Sequence, residues 1–162
     1  VEKLGYDQAI IDRAPVQLLQ SFCGVGNPFS LGDVAPGHRV LDFGCGAGFD
    51  LFVAGNAVGP GGLVCGIDLT EDMVRRATDN LQQAGMTNFE IRRVDREDIP
   101  YSNDFFDVII SNGVINLSPD KQQCFAEIFR VLKPGGKLHF ADVILEKDLP
   151  SHLIGSLEAW SQ

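Results

Sequence analysis

Positive charge is scarce in this sequence: 13 lysines and arginines stand against 22 aspartates and glutamates, a formal net charge of −9. That deficit argues against a nucleic-acid binder, because neutralising phosphates takes clustered cations. Long apolar runs are missing too. None approaches the ~20 residues of a membrane span, and the opening VEKLGYDQAI has no charged leader ahead of an apolar block. The expectation is a cytoplasmic protein with a small-molecule partner, no nucleic acid and no membrane. Cysteine is sparse and scattered: Cys23, Cys45, Cys65 and Cys124 never form CxxC, which speaks against a zinc knuckle and a disulfide framework. Cys65 and Cys124 sit in apolar patterns and should pack as small hydrophobes, whereas Cys23 and Cys45 lie beside glycines. The three histidines, His38, His139 and His152, form no cluster and are expected to be structural; no metal is called for.

What the chain does have is ordinary globular material, 44% hydrophobic and 22% charged over 162 residues, enough for one sizeable core. Apolar runs alternate with helical patterns, which predicts an α/β fold with a Rossmann-like, doubly wound, mostly parallel sheet. Strands are expected at 39–44, 63–69, 89–95, 105–111 and 137–145. A helix fits 49–58 and stops at Gly59-Pro60-Gly61-Gly62; another runs from an N-cap at Thr70 to Gly85. A third is expected to start with Ser118 as N-cap and Pro119 as first residue, ending at Pro134-Gly135-Gly136. Residues 1–35 read as an N-terminal helical cap, with a short helix over 7–13 and Pro15 opening another. Residues 36–147 form the α/β body, and 148–162 begin a C-terminal helix.

Between the first strand and its helix lies VLDFGCGAGFD, with Gly44, Gly46 and Gly48 allowing a tight turn and close backbone approach to a ligand. The spacing is GxGxG. A dinucleotide fingerprint would need glycine where Phe49 stands, which argues against a nicotinamide-dependent oxidoreductase. Asp42 adds negative charge beside the loop, disfavouring phosphate and suiting a cation. Asp68 closes the second strand about 20 residues on, where an acid can accept from both hydroxyls of a ribose. Asp95, ending the third, could accept from an exocyclic amine such as that of adenine.

Together, the glycine loop, Asp68, DREDIP (95–100) and RVLKPGGKL (130–138) resemble the class I S-adenosylmethionine-dependent methyltransferases, over roughly residues 36 to 146. The resemblance implies that fold and S-adenosylmethionine as cofactor. It places Asp42, Gly44, Cys45, Gly46 and Gly48 around the methionine part, Asp68 on the ribose, Leu69 and Met73 about the adenine, and Asp95 at its amino group. Asn112 is implied to offer its carbonyl near the methionine amine. The absence of a catalytic triad agrees, since an activated methyl needs alignment and dryness more than a strong acid.

LGYD (4–7), CGVGNPF (23–29) and SNGVINLSPDKQQ (111–123) are more closely similar to the arsenite methyltransferase branch, whose members hold trivalent arsenic with cysteine thiolates. By that likeness Cys23, Gly113 and Asn116 border the acceptor, Asn116 either lining it or capping the next helix. The branch has cysteine where this chain has Gly113, and another in a C-terminal region beyond Trp160. The implied sheet is therefore truncated after its fifth strand, and the open edge predicts a homodimer or a covering role for 148–162. Two functions follow: methyl transfer to a small-molecule acceptor, or cofactor binding in a catalytically incomplete protein.

Overall fold

The computed structural model describes residues 1–144. Five parallel strands, β1 (Arg39–Phe43), β2 (Leu63–Asp68), β3 (Phe89–Arg93), β4 (Phe106–Asn112) and β5 (Leu132–Ala141), form one sheet in the order β3-β2-β1-β4-β5. The chain moves outward from β1 to β3, returns to the other side of β1 and moves outward again. Alternation along each strand assigns side chains to two faces. Val40, Val64, Val108 and Ile110 share a core with α3 (Phe49–Val58) and Leu81 of α4 (Glu71–Gln83). Leu41, Cys65, Ile67 and Ile109 share the opposite core with Cys124, Ile128 and Val131 of α5 (Lys121–Val131). Both faces are covered, which is why the central strands β1, β2 and β4 are mostly apolar and mostly buried.

Helix α3 is buried nearly all round, Asp50 included. Its outer side is covered by the N-terminal segment, where α1 (Gln8–Ile11) and α2 (Val16–Gln20) bring Ile11, Ala14 and Leu18 into the same core. Tyr6 packs edge-on against Phe22, Phe29 and Phe49, with ring centroids 5.7, 6.1 and 5.2 Å away. A helix sandwiched this way needs no polar stripe, hence FDLFVAGNAV. Among the described residues no helix is long and apolar enough to cross a membrane, and no cluster of three or more His, Cys, Asp or Glu could hold a metal.

Several boundaries differ from the sequence expectations. Asp7 caps a shorter α1, accepting from Ala9 N at 2.8 Å, and Pro15 precedes α2 as its N-cap. Thr70 holds the N-cap position of α4 without a side-chain cap bond. Helix α5 starts at Lys121 under an Asp120 cap that accepts from Gln123 N at 2.9 Å. Ser118 is drawn away, donating to Glu97 at 2.8 Å and accepting from Asp120 N at 3.2 Å. Pro134-Gly135-Gly136 stops no helix; α5 has already ended at Val131. The segment bulges within β5, whose register on β4 jumps from Phe106↔Leu132 to Val108↔Lys137. An edge strand tolerates this proline because its outer side needs no ladder bond. Strand β3 ends at Arg93, short of Asp95, and β5 at Ala141. The helix expected from 148 lies outside the described residues. Asp120→Ala is expected to cost about 1 kcal/mol in urea unfolding; a loss below a few tenths would return the cap to Ser118.

Candidate functional site

The sheet order reverses between β1 and β4, so a crevice opens beyond the carboxyl ends of β1, β2 and β4. Residues 44–48 turn there from β1 into α3. Gly44 and Cys45 donate their N–H groups to Ile67 O at 2.9 and 3.0 Å. Gly46 N donates to Asp68 Oδ2 and Thr70 N to Asp68 Oδ1, both at 2.9 Å. One carboxylate thus ties the glycine loop to the start of α4. Asn80 secures the loop's far side, donating to Ala47 O at 3.0 Å from a buried position. Gly44 and Gly46 have φ of 78° and 50°. A Cβ on Gly44 would lie 2.5 Å from Val114, whereas one on Gly46 would meet nothing within 4 Å, so the backbone at 46 is open to a ligand.

Two cavities meet at Asp68. One, of about 390 Å³, is mostly apolar, walled by Phe43, Ile67, Leu69, Val94, Leu117 and Pro119, with Asp95 on its rim. The other, of about 300 Å³, is acidic, walled by Asp42, Asp50, Met73, Asn112 and, from the N-terminal segment, Phe22 and Cys23. Gly44, Asp68 and Val114 line both. The pair could take an elongated ligand with an apolar planar group at one end and positive charge at the other.

The charge argument rests on Asp42 and Asp50, 2% and 6% exposed. Burial raises Asp42 well above the usual carboxylate range, and the negative charges of Asp50 and Asp68 raise it further. Burial also raises Asp50, against the hydrogen bonds donated by Asn112 (3.0 Å) and Tyr6 (2.7 Å). Tyr6 is pushed upward in turn by burial and by Asp50. Among the described residues, no lysine, arginine or histidine pairs with Asp42, Asp50 or Asp68. Such a site disfavours phosphate and suits a cation.

The crevice brings together Asp42, Gly44, Cys45, Gly46, Asp68, Met73, Asn112, Gly113 and Cys23. Leu69 and Asp95 stand in the apolar cavity, so Leu69 and Met73 fall on different sides of Asp68. Asp95 pairs with Arg93 at 2.7 Å and is 81% exposed. Gly48 packs its Cα side against Ala77. The Cys45 thiol lies against Gly66, and burial pushes it well up, leaving no activated nucleophile. Cys65 and Cys124 are buried; burial pushes each up to about 11. Cys23 is exposed. Asn116 lines neither cavity and does not cap α5: its N–H donates to Asp142 at 2.8 Å and its buried side-chain oxygen has no partner. Tyr6, Asp50 and Asn80 are members of the site that the sequence expectations omit. Asp50, a lone carboxylate in an apolar helix, is the one with a visible signal.

A family model described as a methyltransferase domain matches residues 35–162. The arsenite methyltransferase of Halobacterium salinarum is 40% identical over 153 residues, covering 92% of this chain and 38% of the relative. Among solved structures, an arsenic(III) S-adenosylmethionine methyltransferase from Chlamydomonas reinhardtii superposes with TM-score 0.81 at 34% identity, covering 92% of this chain and 53% of that one. A SAM-dependent methyltransferase from Aquifex aeolicus follows at TM-score 0.69 and 26% identity, covering 91% and 80%. The chain spans about two fifths of the length of the curated relatives it matches. The chain belongs to the methyltransferase domain family, in its class I S-adenosylmethionine-dependent branch.

Proposed function

We propose that the protein transfers a methyl group from S-adenosylmethionine to a small-molecule acceptor, in the manner of the arsenite methyltransferases. The observation that carries this is the acidic cavity: two buried carboxylates with no cationic partner among the described residues, joined through Asp68 to an apolar cavity. The donor, when bound, supplies a methyl on a positively charged sulfur, already activated for displacement. Asp68 has lone pairs left after its two backbone bonds and would accept from the ribose hydroxyls. Asp42 and Asp50 would balance the positive end. Leu69 and Val94 would wall the base, with Asp95 at its amino group, while Phe22 and Val114 keep water from the reacting end. No side chain is needed as a strong acid or base; alignment and dryness are what these residues provide.

One observation favours a second reading, cofactor binding without turnover. The branch's cysteine position is Gly113, with φ 75°, and a Cβ built there would touch Val25 Cγ1 at 3.4 Å rather than a sulfur. Cys23 is then the one exposed thiol of the crevice, and a single thiolate holds a trivalent arsenic centre poorly. Incubation with S-adenosylmethionine and arsenite, small thiols or quinol-like phenols, followed by mass spectrometry, separates the two. Any methylated acceptor supports transfer; cofactor binding with no product across the panel supports the second reading. A cytoplasmic setting and a homodimer using the edge of β5 belong to the same proposal. A clean monomer at high micromolar concentration in light scattering removes the dimer.

A further inference from the structure

Asn112 ends β4, and its side chain engages the N-terminal segment more heavily than any ligand-facing role requires. Its Oδ1 accepts from Val25 N at 2.8 Å and Gly26 N at 3.1 Å. Its Nδ2 donates to Gly26 O at 2.9 Å and Asp50 Oδ2 at 3.0 Å, with the Tyr6 hydroxyl at 3.2 Å. The amide can sit only one way round: flipped, its NH2 would face two backbone N–H donors and its oxygen a carbonyl and a carboxylate. Tyr6 closes the circuit by donating to Asp50 Oδ1 at 2.7 Å.

The segment lies flush because glycines stand at the two positions, 24 and 26, where a side chain would meet β4 and β5. A Cβ on Gly24 would collide with the Asn112 amide, and one on Gly26 would come within 2.5 Å of the Ala141 Cβ. Residues 21–24, next along the same segment, wall the acidic cavity with Phe22 and Cys23. One amide therefore joins a wall of the cavity on one side to a carboxylate inside it on the other.

We propose that Asn112 is a positioning residue, a latch that holds residues 22–26 closed over the acidic cavity and couples their closure to a cation bound there. Asp50 accepts from both Tyr6 and Asn112 best when ionised, and a cation beside it favours that state; the ligand strengthens the latch and the latch strengthens ligand binding by the same factor. This rests on the proposed cofactor site, but the latch itself is testable without ligand.

Hydrogen exchange at the Val25 and Gly26 amides reads the latch directly, because those N–H groups donate to Asn112. In the free protein, Asn112→Ala is expected to speed their exchange at least about tenfold while amides of β1 stay unchanged; equal exchange at 25 and 26 in the two proteins overturns the latch. Asn112→Asp keeps an acceptor for the two N–H groups but removes both donors and faces Asp50 with a second carboxylate. It is expected to retain part of the protection in the free protein and to lose its increase on ligand addition. With S-adenosylhomocysteine, whose α-ammonium provides the cation, protection at 25 and 26 should rise in the native chain and not in Asn112→Ala. Binding that raises protection equally in both overturns the coupling. If calorimetry shows no binding to the native chain, the cofactor site has failed and with it the coupling, while the ligand-free comparison still decides the latch.

Discussion

Asp68→Ala is expected to weaken S-adenosylmethionine binding by about tenfold to a hundredfold or more, since each charge-assisted hydrogen bond is worth roughly 1.5–3 kcal/mol. Two losses combine. The proposed ribose site loses an acceptor at the junction of the two cavities, and the glycine loop and the start of α4 lose the carboxylate that receives Gly46 N and Thr70 N at 2.9 Å. Asn in place of Asp68 cannot restore both, because one of its two terminal atoms becomes a donor facing a donor. The loss should be equal for S-adenosylmethionine and S-adenosylhomocysteine, which share the ribose. Asp42→Asn should instead penalise S-adenosylmethionine more, because only that ligand carries the positive sulfur. Calorimetric titration of both variants with both ligands checks this; unchanged affinity in Asp68→Ala would displace the ribose from the junction.

The second large effect is on pH. Burial and two neighbouring carboxylates raise Asp42 in the folded chain, and burial raises Asp50. The folded state therefore binds protons that the unfolded state has released. Stability of the ligand-free protein should fall as pH rises from the ordinary carboxylate value near 3.8 toward the raised folded values, then level off. Cation binding runs the other way. The ligand displaces a proton held in the cavity, so affinity should rise with pH across the same window, approaching about tenfold per pH unit for one proton displaced, and flatten above it. Both slopes should shrink in Asp42→Asn. Ligand affinity independent of pH from 4 through neutrality would show that the buried acids and the cation do not share a site.

Much of the fold is legible in the sequence because both sheet faces are covered. VL of β1, LVCGI of β2 and VII of β4 are short apolar runs at the centre of the sheet, and Gly59-Pro60-Gly61-Gly62 ends α3 where expected. The exceptions are places where a tertiary contact overrides a local signal. Ser118 has the local chemistry of an N-cap, but Glu97 takes its hydroxyl and Asp120 does the capping. The Pro-Gly-Gly of β5 reads as a stop, but Leu132 already pairs with Phe106, so the extra residues bulge out of an edge strand. In the crevice, the glycines and Asp68 declare themselves through spacing. The network joining Tyr6, Asp50 and Asn112 does not, because its hydrogen bonds link residues 106 and 62 positions apart and no local pattern encodes such a link. Asn112 is visible in SNGVINL as a polar residue ending a buried strand, but the hydrogen bonds its side chain makes to the N-terminal segment are visible only in three dimensions.

Isothermal titration of the chain with S-adenosylmethionine tests the central claim most directly. A saturable one-to-one isotherm, tighter at neutral pH than at pH 5 and lost in Asp68→Ala, is the predicted result. No heat and no thermal shift at millimolar ligand would contradict it.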